Sequence, residues 1–165
     1  MKILIKSRID IGKISEKGFS KDTALISITD FGDEEVKLIR EPDMLLRLAF
    51  NGVDNDVFLD EIGHKPTLEE RLRIEAQYNV LSDEQAHQIG MFYDNNKGRI
   101  STLICQCEHG QSRSAAVAAA ILEFRNRRGI EIFADDRFYP NKVVFRRVLE
   151  ALRDQIPVYS DSNHE

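Results

Sequence analysis

The sequence predicts an α/β fold in which a mostly parallel central sheet is flanked by helices. Short, apolar segments that are each followed by Asp, Gly or Asn alternate with helical patterns along the chain. No repeat, low-complexity segment or linker divides the 165 residues, a length that suits one domain with a sizeable core. We therefore expect a single domain over residues 1–165, with residues 158–165 as a frayed tail.

Four segments are predicted to form strands. They are short and apolar, and turn residues separate them from the helical patterns. A Lys97-Gly98 break precedes the last of them, which favours a buried strand there. The segments are Lys2–Ser7, Thr23–Ile28, Leu45–Phe50 and Ile100–Gln106.

Helix starts are marked by capping residues. Thr67–Glu70 and Ser82–Gln85 both have capping-box spacing, so helices are expected to begin near residues 68 and 83. Ala115–Phe124 consists mostly of strong helix formers. Asn141 is a suitable cap for a final amphipathic helix over residues 142–152.

One octapeptide carries chemistry, Cys107-Glu-His-Gly-Gln-Ser-Arg-Ser114. A thiol and a guanidinium six positions apart, with a glycine between them and a hydroxyl just after, can hold a phosphate and attack it. The segment joins a predicted strand to a predicted helix, whose first N–H groups lack intrahelical partners and stabilise an anion. The same field and the charge of Arg113 favour a thiolate, so we expect Cys107 to be at least partly ionised near neutral pH.

This octapeptide resembles the Cys-x5-Arg phosphate-binding loop of the protein tyrosine phosphatase superfamily. Gly110, Ser112, Arg113 and Ser114 match the form typical of dual-specificity phosphatases. The wider resemblance is to small bacterial and phage proteins of that type and runs from about Ala24 to Arg153. It includes the stretches Ile26–Asp30, Leu46–Phe50 and Phe138–Asn141. The resemblance implies a phosphatase-like single-domain fold and a tyrosine or dual-specificity protein phosphatase activity.

The roles that the resemblance implies agree with the chemistry of the side chains. Cys107 would attack phosphorus and form a phosphocysteine, and Ser114 would donate to the sulfur when it leaves. Arg113 would hold two phosphate oxygens bidentately. The backbone amides around the remaining oxygens would come from Glu108, His109, Gly110, Gln111, Ser112 and Arg113. No metal or cofactor is required, and the expected partner is a phosphorylated protein or a small phosphomonoester.

Gln106 departs from the family pattern, which has histidine before the nucleophile. Glutamine supplies a donor and an acceptor but no titratable group. Thiolate formation and the level of activity depend on this difference. A non-enzymatic, phosphate-binding pseudophosphatase is therefore one alternative function.

A general acid is also needed to protonate the leaving oxygen. Residues 50–56 follow a predicted strand and are rich in turn residues, which suits an acid loop. Asp54 is the first candidate and Asp56 the second, while Asp30 and Asp60 stay open. An extended connection over residues 56–80 follows and could cover the site or decorate the surface.

The octapeptide has three alternative interpretations. Cys107 could be a buried small hydrophobe and Arg113 a surface charge. Cys105, Cys107 and His109 could be metal ligands, but the sequence lacks a second ligand cluster for tetrahedral zinc. A rhodanese-like sulfurtransferase is the nearest chemical alternative. The loop spacing and Ser114 favour the phosphatase.

The composition of the chain limits the binding partners and the cellular compartment that we expect. The formal charge is −5 without a basic block, so no nucleic-acid partner is expected. The sequence shows no apolar run of about 18 residues and no signal-peptide pattern, so no membrane association is expected. Its two cysteines suit a reducing cytoplasm. Cys105 shares a strand face with Cys107 and is expected to be a core cysteine rather than a redox partner.

Overall fold

The structure is a computed structural model that describes residues 1–53, 63–65 and 67–155. Its strands are β1 (Lys2–Lys6), β2 (Thr23–Thr29), β3 (Met44–Ala49) and β4 (Thr102–Gln106). Its helices are α1 (Arg8–Lys17), α2 (Leu68–Tyr78), α3 (Asp83–Asn96), α4 (Arg113–Asn126), α5 (Ile130–Phe133) and α6 (Lys142–Asp154).

The four strands form one sheet in the order β1-β4-β2-β3. Every neighbouring pair is parallel, and β4 lies between β1 and β2 with Cys105 opposite both Ile5 and Ile26. The carboxyl ends of all four strands therefore meet at one edge of the sheet. Ligands of open α/β sheets bind at this edge, and β4 delivers Cys107 to it.

Helices cover both faces of the sheet, as the sequence predicts. On one face, Ile11 of α1 packs in a buried cluster with Leu25 and Ile104. The larger core on the other face includes buried side chains of α3, α4 and α6. Residues 113–121 of α4 are buried without interruption, which explains the run of small alanines. The prediction of an α/β fold with a parallel central sheet flanked by helices is confirmed.

Two helices lie where the sequence analysis predicts none, α1 and the four-residue α5. α1 contains Gly12 and several β-branched isoleucines, which weaken its helical signal. Its Ser7 cap accepts a hydrogen bond from the Asp10 amide at 3.1 Å, and tertiary packing of Ile11 completes its stabilisation. The Ser-x-x-Asp spacing of residues 7–10 is the sequence pattern that could have predicted the start of α1.

The capping boxes predicted at Thr67 and Ser82 are both formed, and α2 and α3 begin at Leu68 and Asp83. α2 is tied to the rest of the fold by an ion pair between buried Glu75 and Arg147 of α6. Arg147 also donates to the carbonyl oxygen of Leu81. The guanidinium of Arg147 thus connects α6 to α2 and to the segment just before α3.

Within the described ranges, no helix is long and apolar enough to span a membrane. The expected frayed tail, residues 158–165, lies outside the described residues. Residues 56–62 and 66 of the predicted 56–80 connection lie outside the described residues as well. The expectation of one domain over residues 1–165 stays a prediction.

Candidate active site

The loop of residues 107–113 joins β4 to α4 and is packed against the junction of β1 and α1. The Cys107 amide donates to the Lys6 carbonyl oxygen at 3.3 Å. Gly110 has a φ of 68°, and a Cβ added there would lie 2.6 Å from the Ser7 nitrogen. Only glycine satisfies both conditions, because other residues rarely adopt this φ and the neighbouring atoms are backbone. The glycine in the motif therefore lets the loop pack closely against the end of β1.

The Cys107 thiol is buried, and its Sγ lies 3.1 Å from the Ser114 Oγ. Burial by itself acts to raise the thiol pKa. Hydrogen bonds from the Ser114 hydroxyl and amide, the charge of Arg113 and the Gly110 amide outweigh burial and lower the pKa of Cys107. Donors from the loop and from the helix start thus converge on the sulfur, as the sequence analysis expects for a reactive cysteine.

The Arg113 side chain is buried and reaches the carboxyl ends of the other strands. Its Nη1 donates to the Phe50 carbonyl oxygen at 2.8 Å and pairs with the Asp30 carboxylate. A Cβ added at Gly52 would lie 3.3 Å from the Arg113 Cδ, so the chain after β3 follows the arginine closely. The guanidinium is held between the ends of β2 and β3, beside the 107–113 loop that begins at Cys107.

Two further segments support the rim of the loop. The Arg8 amide donates to the Glu108 carbonyl oxygen at 3.0 Å, and the two side chains form an ion pair at 3.6 Å. On another part of the loop, Tyr139 donates two hydrogen bonds to Gln111. Its amide donates to the backbone carbonyl oxygen at 3.1 Å, and its hydroxyl donates to the side-chain Oε1 at 2.8 Å. The Asn141 amide donates to the Ser112 carbonyl oxygen at 3.4 Å. These contacts fix the loop by both backbone and side-chain interactions.

Gln106 is fully buried next to the thiol-bearing residue. Its Oε1 accepts a hydrogen bond from the Ser27 hydroxyl at 2.7 Å. The two residues are direct neighbours in the parallel register of β2 and β4. Gln106 therefore connects the strand that leads to Cys107 to the strand that leads to Asp30. A neutral amide makes this connection without a titratable group.

The structure brings together Cys107, Arg113 and Ser114, and it adds Asp30 through the ion pair with Arg113. This ion pair places the Asp30 carboxylate at the candidate site, against the guanidinium of Arg113. The other candidate acids, Asp54, Asp56 and Asp60, lie outside the described residues.

Sequence reasoning missed two neighbours of the loop, Arg8 and Ser27. Neither belongs to a recognisable motif, since their contacts depend on how β1 and β2 pair with β4. The signal available for Ser27 was its place on a buried strand, where a hydroxyl needs a partner. Tyr139 and Asn141 belong to a segment that carries the family resemblance, but no local pattern predicts their contacts with the loop.

Cys105 is buried in the core, where burial and the neighbouring Cys107 raise its pKa. It is packed as a core cysteine. In the part of the chain that the structure describes, no three His, Cys, Asp or Glu side chains are grouped as a metal site. Cys105, Cys107 and His109 thus form no such group.

No family model matches this sequence, and no curated protein matches it. Among solved structures, a crystal structure of PTPMT1 has a TM-score of 0.47 at 15% identity, over 93% of this chain and 90% of that one. PTPMT1 in complex with PI(5)P has a TM-score of 0.49 at 14% identity, over 93% and 91%. Tk-PTP in the active form has a TM-score of 0.47 at 15% identity, over 94% of both chains.

Proposed function

We propose that this chain is a cysteine-dependent phosphomonoester hydrolase, acting as a tyrosine or dual-specificity protein phosphatase. The observation that carries the proposal is the Cys107 thiol itself. It lies 3.1 Å from the Ser114 Oγ at the start of α4, with its pKa lowered despite burial. The charge of Arg113 contributes to this lowered pKa, and its guanidinium would complement a phosphate dianion.

In the first step the Cys107 thiolate attacks phosphorus. A sulfur–phosphorus bond forms, and the bond from phosphorus to the leaving oxygen breaks. The charge on the transferred group is spread over its three other oxygens. Arg113 would hold two of these oxygens, and the amides of residues 108–113 would surround them.

The second step releases the enzyme. Water attacks phosphorus, the sulfur–phosphorus bond breaks, and inorganic phosphate leaves. Ser114 stabilises the departing thiolate, because its hydroxyl is already within hydrogen-bond distance of the sulfur. The residue that protonated the leaving group in the first step takes a proton from the water in the second.

Asp54 is proposed as this acid and base. Asp54→Asn should slow hydrolysis of a phosphotyrosyl peptide, whose leaving group is basic, more than hydrolysis of a substrate whose leaving group departs easily as an anion. The basic limb of the pH profile of kcat/KM should also disappear when chemistry limits the rate. If Asp56→Asn has these effects and Asp54→Asn does not, the role belongs to Asp56. If neither substitution has them, Asp30 and Asp60 are tested next.

The proposed activity is tested with p-nitrophenyl phosphate. Wild-type protein should release phosphate, and Cys107→Ser should reduce turnover to background while anion binding is largely kept. Arg113→Lys should impair both turnover and binding, because lysine lacks the planar fork. Vanadate binding without turnover would identify a phosphate-binding module instead. Turnover of thiosulfate without phosphatase activity would identify a sulfurtransferase.

A further inference from the structure

A cleft of about 810 Å³ opens at the carboxyl end of β3, between α2 and the start of α3. Its volume lies in the range of about 300–1,000 Å³ typical of ligand sites. Phe31 and Leu72 stand at its surface with 58% and 54% of their area exposed. Leu48, Ala76 and Val80 extend the apolar lining. All the lining residues belong to the described part of the chain.

The cleft shares a wall with the candidate active site. Phe31 directly follows Asp30, which pairs with Arg113. Asn51 accepts a hydrogen bond from the Phe31 amide at 2.9 Å. The backbone amide of Asn51 donates to the backbone carbonyl oxygen of Asn79, another lining residue, at 2.8 Å. The same short segments therefore hold the guanidinium on one side and form the cleft on the other.

Carboxylates outnumber cationic groups three to two among the charged residues that line the cleft. Two arginines line it, and each is already paired with two carboxylates, Arg47 with Glu35 and Glu41, and Arg147 with Glu75 and Asp83. Glu84 at the start of α3 adds another lining carboxylate. The excess of carboxylates gives the cleft a negative field, which attracts a cationic group.

We infer that this cleft binds the polypeptide flanking the phosphorylated residue of a protein substrate, and that it accepts a lysine or arginine side chain from it. The inference rests on the proposed phosphatase function and adds a sequence preference to it. The apolar walls suit the aliphatic stem of such a side chain, and the carboxylates suit its charged end. A small phosphomonoester would not reach this surface.

The sheet geometry sets the position of the basic residue. β3 is separated from β4 by β2 alone, so the cleft lies about 10 Å sideways from the strand that delivers Cys107. An extended peptide advances about 3.3 Å per residue. The preferred cation should therefore lie about three residues from the phosphorylated residue.

The test uses a set of phosphotyrosyl peptides in which one lysine is moved through every position from four before to four after the phosphotyrosine. Affinities are measured by fluorescence anisotropy with Cys107→Ser protein, which does not turn the peptide over. Wild-type kcat/KM is measured in parallel, relative to p-nitrophenyl phosphate. A lysine at the preferred position should improve affinity by about two- to fivefold, the size of an exposed ion pair.

Two substitutions in the cleft should remove this preference, Glu84→Lys by reversing a lining charge and Leu72→Gln by removing an apolar wall. Glu16→Lys on α1 makes the same charge change at an exposed site away from the cleft, and it should keep the preference. Equal affinity for all lysine positions would overturn the inference. So would a preference that survives both cleft substitutions, or faster hydrolysis of a 5′-phosphorylated oligonucleotide than of every peptide.

The two proposals fail in different ways. Wild-type protein that leaves p-nitrophenyl phosphate intact would contradict the phosphatase function, while the anisotropy series would still decide whether the cleft selects a basic peptide. Turnover of p-nitrophenyl phosphate without any positional preference among the peptides would contradict the cleft alone.

Discussion

The lowered pKa of Cys107 depends on a few polar contacts, among them the Ser114 hydroxyl, whose Oγ lies 3.1 Å from the sulfur. Donors in the loop and at the helix start keep the thiol acidic although it is buried, because each hydrogen bond to a thiolate favours the charged form. Cys105, two residues away, lacks such a setting and has a raised pKa. Two positions along the chain therefore separate a thiol with a lowered pKa from one with a raised pKa.

Ser114→Ala should raise the pKa of Cys107, because it removes the hydroxyl that stabilises the thiolate. The rate of alkylation by iodoacetamide, measured against pH, should then reach half its maximum at a higher pH than in wild-type protein. Ser101→Ala, just before β4 at its other end, is the matched control and should leave the profile in place. An unshifted profile in Ser114→Ala would mean that the loop amides and Arg113 are sufficient.

Gln106→His tests whether a titratable group at this position makes the thiol more acidic. A protonated imidazole next to the thiolate adds a positive charge, so the alkylation profile should move to lower pH. The double variant Gln106→His with Ser27→Ala lacks the hydroxyl that contacts position 106. It shows whether that hydroxyl is needed to orient the imidazole ring. A profile unchanged by histidine would show that the loop already sets the thiol pKa.

The helices and strands that the sequence predicts correctly are those marked by a pattern of neighbouring residues. The capping boxes locate the starts of α2 and α3, and the run from β4 to α4 follows from a β-branched segment and an alanine-rich one. α1 is missed because its helical pattern is weak and its stabilisation comes from packing of Ile11. The contact of Asp30 with Arg113 joins positions far apart in sequence, so no local pattern could give it.

The 107–113 loop can close only because Gly110 tolerates its backbone conformation. Gly110→Ala would force a side chain into a positive φ and against the Lys6 and Ser7 backbone, at a cost of about 1–2 kcal/mol from the dihedral alone. We expect weaker vanadate binding and a lower urea midpoint. Gly98→Ala is the control, because its Cβ would meet nothing within 4 Å and its φ is ordinary. Equal vanadate affinity in the two variants would contradict this account of the loop.

For the whole molecule, the parallel sheet gathers the candidate site at one edge, and α2 is fixed beside that edge through α6. The Glu75–Arg147 pair joins these helices, and Glu75 is buried while Arg147 is mostly covered. Removing one member leaves the other charge without its partner away from water, which costs more than the intact pair contributes. This pair therefore links the wall of the acidic cleft to the core.

Arg147→Met should destabilise the fold by about 3–5 kcal/mol in urea unfolding, since Glu75 would stay buried without its guanidinium. Adding Glu75→Leu should recover much of the loss, because the uncompensated charge is gone. The exposed pair Arg128–Glu131 gives the control, and Arg128→Met should leave the midpoint nearly unchanged. A double variant as unstable as Arg147→Met would show that Arg147 acts mainly through its bond to Leu81.

Transfer of a phosphoryl group from the substrate to Cys107 can be observed by trapping the phosphocysteine intermediate. Wild-type protein is mixed with an aryl phosphate, quenched in acid within the first turnover, digested and mapped by mass spectrometry. We expect a phosphoryl group on the peptide containing residues 105–113, located at Cys107 rather than Cys105, and none in Cys107→Ser. Turnover that continues in Cys107→Ser, or a phosphoryl group on another residue, would contradict the account.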